Sequence, residues 1–193
     1  MFLLKQYPEY IFNFEGAVKY AWMKEYYPAQ YEEMKKFIES GRWHISGASW
    51  DATDTLVPSI ESALRNIMLG QDYYRKEFGV ESTDIFLPDC FGFGWTLPAI
   101  ASHCGLIGFS SQKLQWRNKP FYGNDKYPFT VGLWQGIDGS TIMMTHGYDY
   151  NQRFEDGDLS ENKDLLELTG HSPLHMVYRY YGCLLYTSPS PRD

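Results

Sequence analysis

The sequence predicts an α/β fold in which parallel strands alternate with helices and an antiparallel hairpin follows. Three observations carry this expectation. Short apolar runs alternate with stretches of helical periodicity, Gly and Pro punctuate the boundaries between them, and the pattern changes to paired alternating strands beyond residue 115. The apolar run Phe2-Leu3-Leu4 reads as a short buried strand. Pro28 opens a helix that places Tyr31, Met34, Phe37 and Ile38 on one face, and Gly41 stops it. Residues 43–47 form a second strand, which a loop rich in Asp, Thr and Ser connects to Pro58-Ser59. Ala63, Leu64, Ile67, Met68, Tyr74 and Phe78 then keep helical spacing until Gly79, the clearest element in the chain. Residues 84–87 are a third strand, and 97–104 a short helix with Pro98 in its first turn and Gly105 after it. Residues 106–110 are a fourth strand. Such an order implies a parallel sheet of right-handed crossovers. Residues 130–134 and 141–145 alternate around Ile137-Asp138-Gly139 and so form the hairpin, and residues 151–163 are acidic and polar, an exposed loop.

With 193 residues the chain is large enough to bury roughly 70% of the surface its unfolded form exposes, so it needs neither disulfides nor a structural metal to build a core. A net charge of −7 without local basic clusters excludes a phosphate-binding footprint, and nucleic acid is not an expected partner. The longest apolar runs fall far short of the roughly 20 residues of a membrane span, so a soluble protein is expected. No signal peptide is visible at the start, which favours the cytoplasm. An aromatic content of 18% exceeds the needs of a core and points to a surface that stacks against ring-shaped ligands.

Both ends are unusual. Met1 enters directly on an apolar run, as an internal methionine or a truncation point would. The stretch 183–193, CLLYTSPSPRD, resembles the conceptual translation of a sequencing-library adapter; a Ser/Pro-rich disordered tail is the alternative. The expected division is therefore 1–182 as domain sequence and 183–193 as tail. Setting Cys183 aside leaves Cys90 and Cys104, which make no disulfide framework.

In parallel α/β folds, function collects beyond the C-terminal ends of the strands. That rule selects 49–54, 88–94 and 110–116. Asp89, behind Pro88 and ahead of two glycines, could be a nucleophile, a general base or a hard metal ligand, or it could simply turn the chain. Lys113 could pair with Asp89 across adjacent strand ends about 5 Å apart, or be a solvated lysine. Asp51 and Asp54 suit a metal or sugar hydroxyls, while Asp54 could equally cap the next helix. Trp50, Phe91, Trp95 and Trp116 fall on or near this rim; Phe91 and Trp116 are assigned to the ligand, and Trp43 to the core. The histidines at 44, 103, 146, 171 and 175 show no HExxH or His-x-Asp spacing and are read as structural or exposed.

Taken together, Gly41-Arg42-Trp43, the loop 50–54 with Pro58-Ser59-x-Glu61-Ser62, Leu87-Pro88-Asp89-Cys90-Phe91-Gly92-Phe93 and Phe109 to Trp116 resemble the glycoside hydrolase family 38 α-mannosidases, with the bacterial branch nearest. Trp134-x-x-x-Asp138-Gly139 and Tyr26-Tyr27-Pro28 extend the likeness from Met1 to Gly182. The resemblance implies part of a seven-stranded β/α barrel that hydrolyses terminal α-linked mannose with retention and holds one divalent zinc ion. It implies that Asp89 is both the nucleophile and a zinc ligand, that Phe91 lines the adjoining subsite and that Lys113 stands where a basic residue near the nucleophile is expected; with Trp116, assigned to the ligand above, and Asp54, these are the residues expected to contact an α-mannoside oligosaccharide. Where many members read Glu-Pro-Asp, this chain has Ala52-Thr53-Asp54, so only Asp54 carries over. The family's upstream His-x-Asp zinc pair, its later zinc histidine and its general acid/base have no match here, so the polypeptide alone is expected to be inactive. Two other readings stand beside this one: a different metal-dependent carbohydrate-active barrel of the polysaccharide deacetylase type, and a non-catalytic sugar-binding module.

Overall fold

A computed structural model describes residues 1–90, 92–111 and 131–146, together with 163, 166, 167 and 170. The expected helices form where their punctuation places them. Helix α3, Pro28–Glu39, starts on its proline and buries Tyr31, Met34 and Ile38. Helix α4, Ile60–Phe78, is N-capped by Ser59, whose hydroxyl accepts from the Ser62 N–H, and ends at Gly79 in the left-handed region. The short α5, Leu97–His103, carries Pro98 in its first turn.

The first expected strand is a helix instead. Residues Phe2–Gln6 form α1, which turns only Leu4 inward and leaves Phe2 and Leu3 exposed. Three apolar residues cannot fix a period. What decides the conformation is long-range: the Arg42 guanidinium donates to the carbonyls of Leu4, Tyr7 and Tyr10 and so gathers the carbonyl end of the helix. The first strand, β1, is Phe12–Phe14, and α2 follows over Ala17–Tyr26. Neither is expected from sequence, because a three-residue strand and a helix with two buried residues leave little pattern.

Strand β1 pairs in parallel with β2, Trp43–Ile45. Strands β3, Asp84–Phe86, and β4, Gly108–Ser111, pair in parallel as expected. Strands β5, Val131–Gln135, and β6, Thr141–His146, form the antiparallel hairpin, with Gly139 at φ +85° in its turn. The hairpin is more integrated than the sequence indicates. Strand β6 adds in parallel to β4, giving the order β3–β4–β6–β5. Among the described residues, the expected single parallel sheet is two sheets, stitched where the Ala48 N–H donates to the Asp84 carbonyl at 2.9 Å.

Among the described residues, two cores sit against these sheets. Ile85, Phe109, Ile142 and Met144 pack with Ile67, Leu97 and Ile100 in an aliphatic core under α4 and α5. The other is aromatic and joins β1 and β2 to α2, α3 and α4 through Tyr20, Tyr31, Trp43 and Tyr74. Trp43 is buried as expected, and its indole N–H donates to the Tyr20 hydroxyl, which in turn donates to the Phe14 carbonyl. Among the described residues, much of the aromatic surplus therefore fills a core. Hydroxyl and indole groups that find partners can be buried there at little polar cost. Among the described residues, no helix is long and apolar enough to cross a membrane.

Glu77 clasps three helices together. Its carboxylate accepts from Lys24 of α2 at 2.6 and 2.7 Å and from the Tyr31 hydroxyl of α3 at 2.9 Å. The Lys24 hydrogen bond holds the Glu77 carboxyl below the usual range, with Tyr31 adding to the effect and burial opposing it. A depressed folded-state pKa stabilises the fold above the unfolded value of about 4.3, and that contribution is lost as pH falls through the lower folded value. Glu77→Gln is expected to lower the urea midpoint at pH 7, and the gap from the parent chain should close in the acid range below about pH 4.3.

Helix α4 also approaches the sheet unusually closely. A Cβ on Gly70 would lie 2.1 Å from the Ala48 carbonyl oxygen and 2.4 Å from the Ser49 carbonyl carbon. Gly70→Ala, favourable by helix propensity alone, is expected to destabilise by about 3 kcal/mol or more in equilibrium urea unfolding.

Candidate functional site

The three segments at the C-terminal strand ends owe their positions to the stitch between the sheets. Gly47 leaves β2 at φ +73°, a conformation that favours glycine, and a side chain there would press on Cβ of Glu15 at 3.1 Å. Its N–H donates to Asp84 Oδ1 at 3.0 Å, and the same oxygen accepts from the Ser82 hydroxyl at 2.9 Å. The Tyr74 hydroxyl donates to the Gly47 carbonyl at 3.3 Å. Beyond it, the Ser49 and Trp50 carbonyls accept the otherwise orphaned N–H groups of Ala17 and Val18 at the start of α2.

Asn66 on α4 fixes the next stretch. Its side chain accepts from the Asp51 N–H and donates to the Asp51 carbonyl, and its own carbonyl accepts from the Trp50 N–H. Deeper in the same helix, buried Gln71 makes the same two-way exchange with the backbone of Ser82, at 2.6 and 3.0 Å. The sequence reading misses Asn66, Gly70, Gln71 and Asp84. A signal was present for the helical ones. Asn66 and Gly70 are weak helix formers four residues apart, hence on one face, inside an otherwise well-patterned helix.

Asp89 lies in the turn that leaves β3, and it is exposed. The Leu87 N–H still pairs with the Ser110 carbonyl at 3.0 Å, so Asp89 comes two residues after the last paired position of the sheet. Asp54 is half-buried in the neighbouring loop, and its Oδ1 accepts from the Leu56 N–H at 3.0 Å, the geometry of a turn-forming aspartate. The two loops are tied together directly. Cys90 Sγ donates to the Thr53 carbonyl at 3.0 Å, and Thr55 Oγ1 to the Gly92 carbonyl at 2.9 Å. The structure thus brings Asp54 and Asp89 onto adjacent, joined loops of one rim. Phe91, Lys113 and Trp116, like the 183–193 tail and the expected 151–163 loop apart from Lys163, lie outside the described residues.

Of the remaining rim residues, Trp50 is half-buried and meets the Tyr73 ring edge-on at 5.8 Å, so its indole packs on α4. Trp95 is 78% exposed. Phe93 is half-buried and stacks edge-on against Phe109 at 4.9 Å, anchoring the Asp89 loop in the aliphatic core. A hollow of about 280 Å³ opens beside the rim, lined among others by Asp51, Thr53, Ser62 and Asn66.

Zinc takes four ligands in a structural site and three protein ligands in a catalytic one. Among the described residues, no three of His, Cys, Asp or Glu gather closely enough to hold a metal ion. Asp89 offers a single hard carboxylate at the rim, so the described residues do not by themselves make a zinc site.

Asp84→Ala removes both side-chain acceptor contacts and leaves the buried Gly47 N–H without its partner. Its expected cost is about 2 kcal/mol in urea unfolding, with faster hydrogen exchange at Gly47 and Ala48. Asp84→Asn, which keeps one acceptor oxygen, should recover part of both.

The sequence profile described as the Glycosyl hydrolases family 38 N-terminal domain matches residues 1–171. Alpha-mannosidase G of Dictyostelium discoideum is 37% identical over 166 residues, covering 82% of this chain and 15% of its own length. Alpha-mannosidase 2C1 of Homo sapiens is 32% identical over 142 residues, covering 74% and 13%. The chain thus spans only about one-seventh of the length of these relatives. Among solved structures, an alpha-mannosidase from Enterococcus faecalis V583 aligns over 75% of this chain and 16% of its own, with a TM-score of 0.62 at 21% identity. A 4-alpha-glucanotransferase from Thermococcus litoralis aligns over 76% and 22%, with a TM-score of 0.63 at 17% identity. At such identities the structural likeness shows the fold and leaves the reaction open.

Proposed function

The chain belongs to glycosyl hydrolase family 38 through that family's N-terminal domain, and from this membership we propose that the protein it is part of hydrolyses terminal α-linked mannose with retention of configuration. The observation that carries the reading is Asp89, an exposed carboxyl group directly beyond a parallel strand, on a loop pinned at both Cys90 and Gly92. A carboxylate there can attack the anomeric carbon. The new bond runs from its oxygen to C1 as the C1–O bond to the leaving group breaks, and the leaving oxygen takes a proton from a second carboxyl group about 5 Å away. Water then hydrolyses the glycosyl ester.

In this reading Lys113 favours the ionised form of Asp89, Phe91 and Trp116 meet the C–H faces of the sugar, and Asp54 binds its hydroxyls. A zinc ion belongs to the proposal only as a group that Asp89 shares with ligands beyond the described residues. Closure of the sheets into a seven-stranded barrel is also proposed. In support, the strand positions facing away from the helices are largely small or polar. In the registered rows Asp84, Gly108 and Met143, and Phe86, Ser110 and Thr145, only Met143 and Phe86 are large and apolar, unlike the near-continuous apolar second face of a sheet covered on both sides. The family resemblance matches no residue of this chain to the second carboxyl group, and the 193-residue chain alone is proposed to be inactive.

In the full-length protein that carries this segment, Asp89→Asn is expected to lower kcat on an aryl α-mannoside at least about a thousandfold. Azide should restore turnover to Asp89→Ala, giving the inverted glycosyl azide. Retention of activity within about tenfold by Asp89→Asn would remove Asp89 from the nucleophile's role. The 193-residue chain should release no aglycone from the same substrate.

A further inference from the structure

Six residues beyond Asp89, the loop presents Trp95 to solvent with 78% of its surface exposed, although it is a large aromatic side chain of the kind that usually packs. Leu56, 60% exposed, and Val57, 82% exposed, lie on the neighbouring rim loop. The contact between the loops is close, because a Cβ on Gly92 would fall 2.3 Å from Leu56 Cδ1 and one on Gly94 would fall 3.8 Å from Leu56 Cδ2.

The backbone beneath the indole is fixed on both sides. Thr55 Oγ1 holds the Gly92 carbonyl, Phe93 is seated on Phe109, and the Leu97 N–H donates to the Gly94 carbonyl at 3.0 Å. A pre-organised backbone lowers the entropy cost of using the ring in binding. Six residues of chain span at most about 20 Å, so the indole lies within a few pyranose rings of Asp89.

We propose that Trp95, flanked by Leu56, is a stacking platform for a second pyranose ring of an oligosaccharide whose terminal residue sits at Asp89. The assignment rests on the glycosidase reading above. The electron-rich face of the indole attracts the polarised C–H groups on one side of a sugar ring, and the apolar flank of Leu56 extends that contact without competing for hydroxyls. The net charge of −7 is unfavourable for an anionic ligand in this position, whereas a neutral sugar is indifferent to it. The platform governs how well longer substrates are held and leaves capture of a single mannose unit unchanged.

The test uses the ¹⁵N-labelled 193-residue chain, with the indole N–H resonance of Trp95 identified by its loss in Trp95→Phe. α-Linked mannotriose is expected to shift that resonance. Trp95→Ala should weaken mannotriose binding about tenfold, Trp95→Phe should stay within about threefold of the parent chain, and binding of free mannose should be unchanged in both. Unaltered mannotriose affinity in Trp95→Ala, or binding that leaves the indole resonance in place, overturns the platform and leaves the mannosidase reading intact. If maltotriose shifts the indole in a Trp95-dependent way and mannotriose does not, the platform stands as a sugar site and the choice of mannose falls. The absence of any shift with either trisaccharide overturns the platform outright.

Discussion

The structure turns on the three-residue passage Gly47-Ala48-Ser49, where the chain leaves one sheet and is fastened to the next. Within it the Gly47 N–H reaches Asp84 Oδ1, the Ala48 N–H reaches the Asp84 carbonyl, and the Ser49 carbonyl receives the first N–H of α2. Helix α4 lies on the same passage through Gly70. Each contact is a backbone group satisfied in a place where water has little access, and losing one would leave an orphan rather than a solvated group. Because the rim loop 50–58 emerges directly from this passage, any tilt there is passed to the loop that touches the Asp89 turn.

How much of this was legible in the sequence depended on whether the signal was local. Helix α4 could be read because nineteen residues repeat one pattern between a serine cap and a glycine stop. The hairpin could be read because its turn chemistry is local: the Asp138 side chain accepts from the Ser140 N–H and hydroxyl, and Gly139 takes the positive φ. Helix α1 could not, since Arg42, 35 or more residues away in sequence from two of its acceptors, gathers its final carbonyls. In the sequence, Asp84 is only the first residue of a strand. Its role as a stitch depends on Gly47 and Ala48 arriving beside it, which no single-sequence pattern records.

The candidate site shows the same division. Asp89 was legible because it stands where an apolar strand ends and a glycine-rich loop begins. The aromatic residues were less so, because composition counts rings without saying where they point. Trp50 lies five residues beyond β2 and Trp95 nine beyond β3, and one packs edge-on against Tyr73 while the other stands in water. Tyr73 separates them: it is a residue of α4, and sequence spacing alone does not bring it to Trp50.

The rim also reports on both cores at once. Strands β1 and β2 are held by tyrosine and tryptophan rings whose polar tips are paired, as in the run from the Trp43 indole through the Tyr20 hydroxyl to the Phe14 carbonyl. Strands β3, β4 and β6 are held mainly by aliphatic packing and Phe109, which carries no polar tip to orient it. Paired polar groups specify a direction, whereas aliphatic packing specifies mainly a volume. The Asp54 loop grows from the first kind of core and the Asp89 loop from the second. The bonds from Cys90 to Thr53 and from Thr55 to Gly92 transfer the directional definition of the aromatic core to a loop whose own support is aliphatic. The bonds at Cys90 and Gly92, one and three residues further along the same loop, thus help to fix the backbone that carries this exposed carboxyl group.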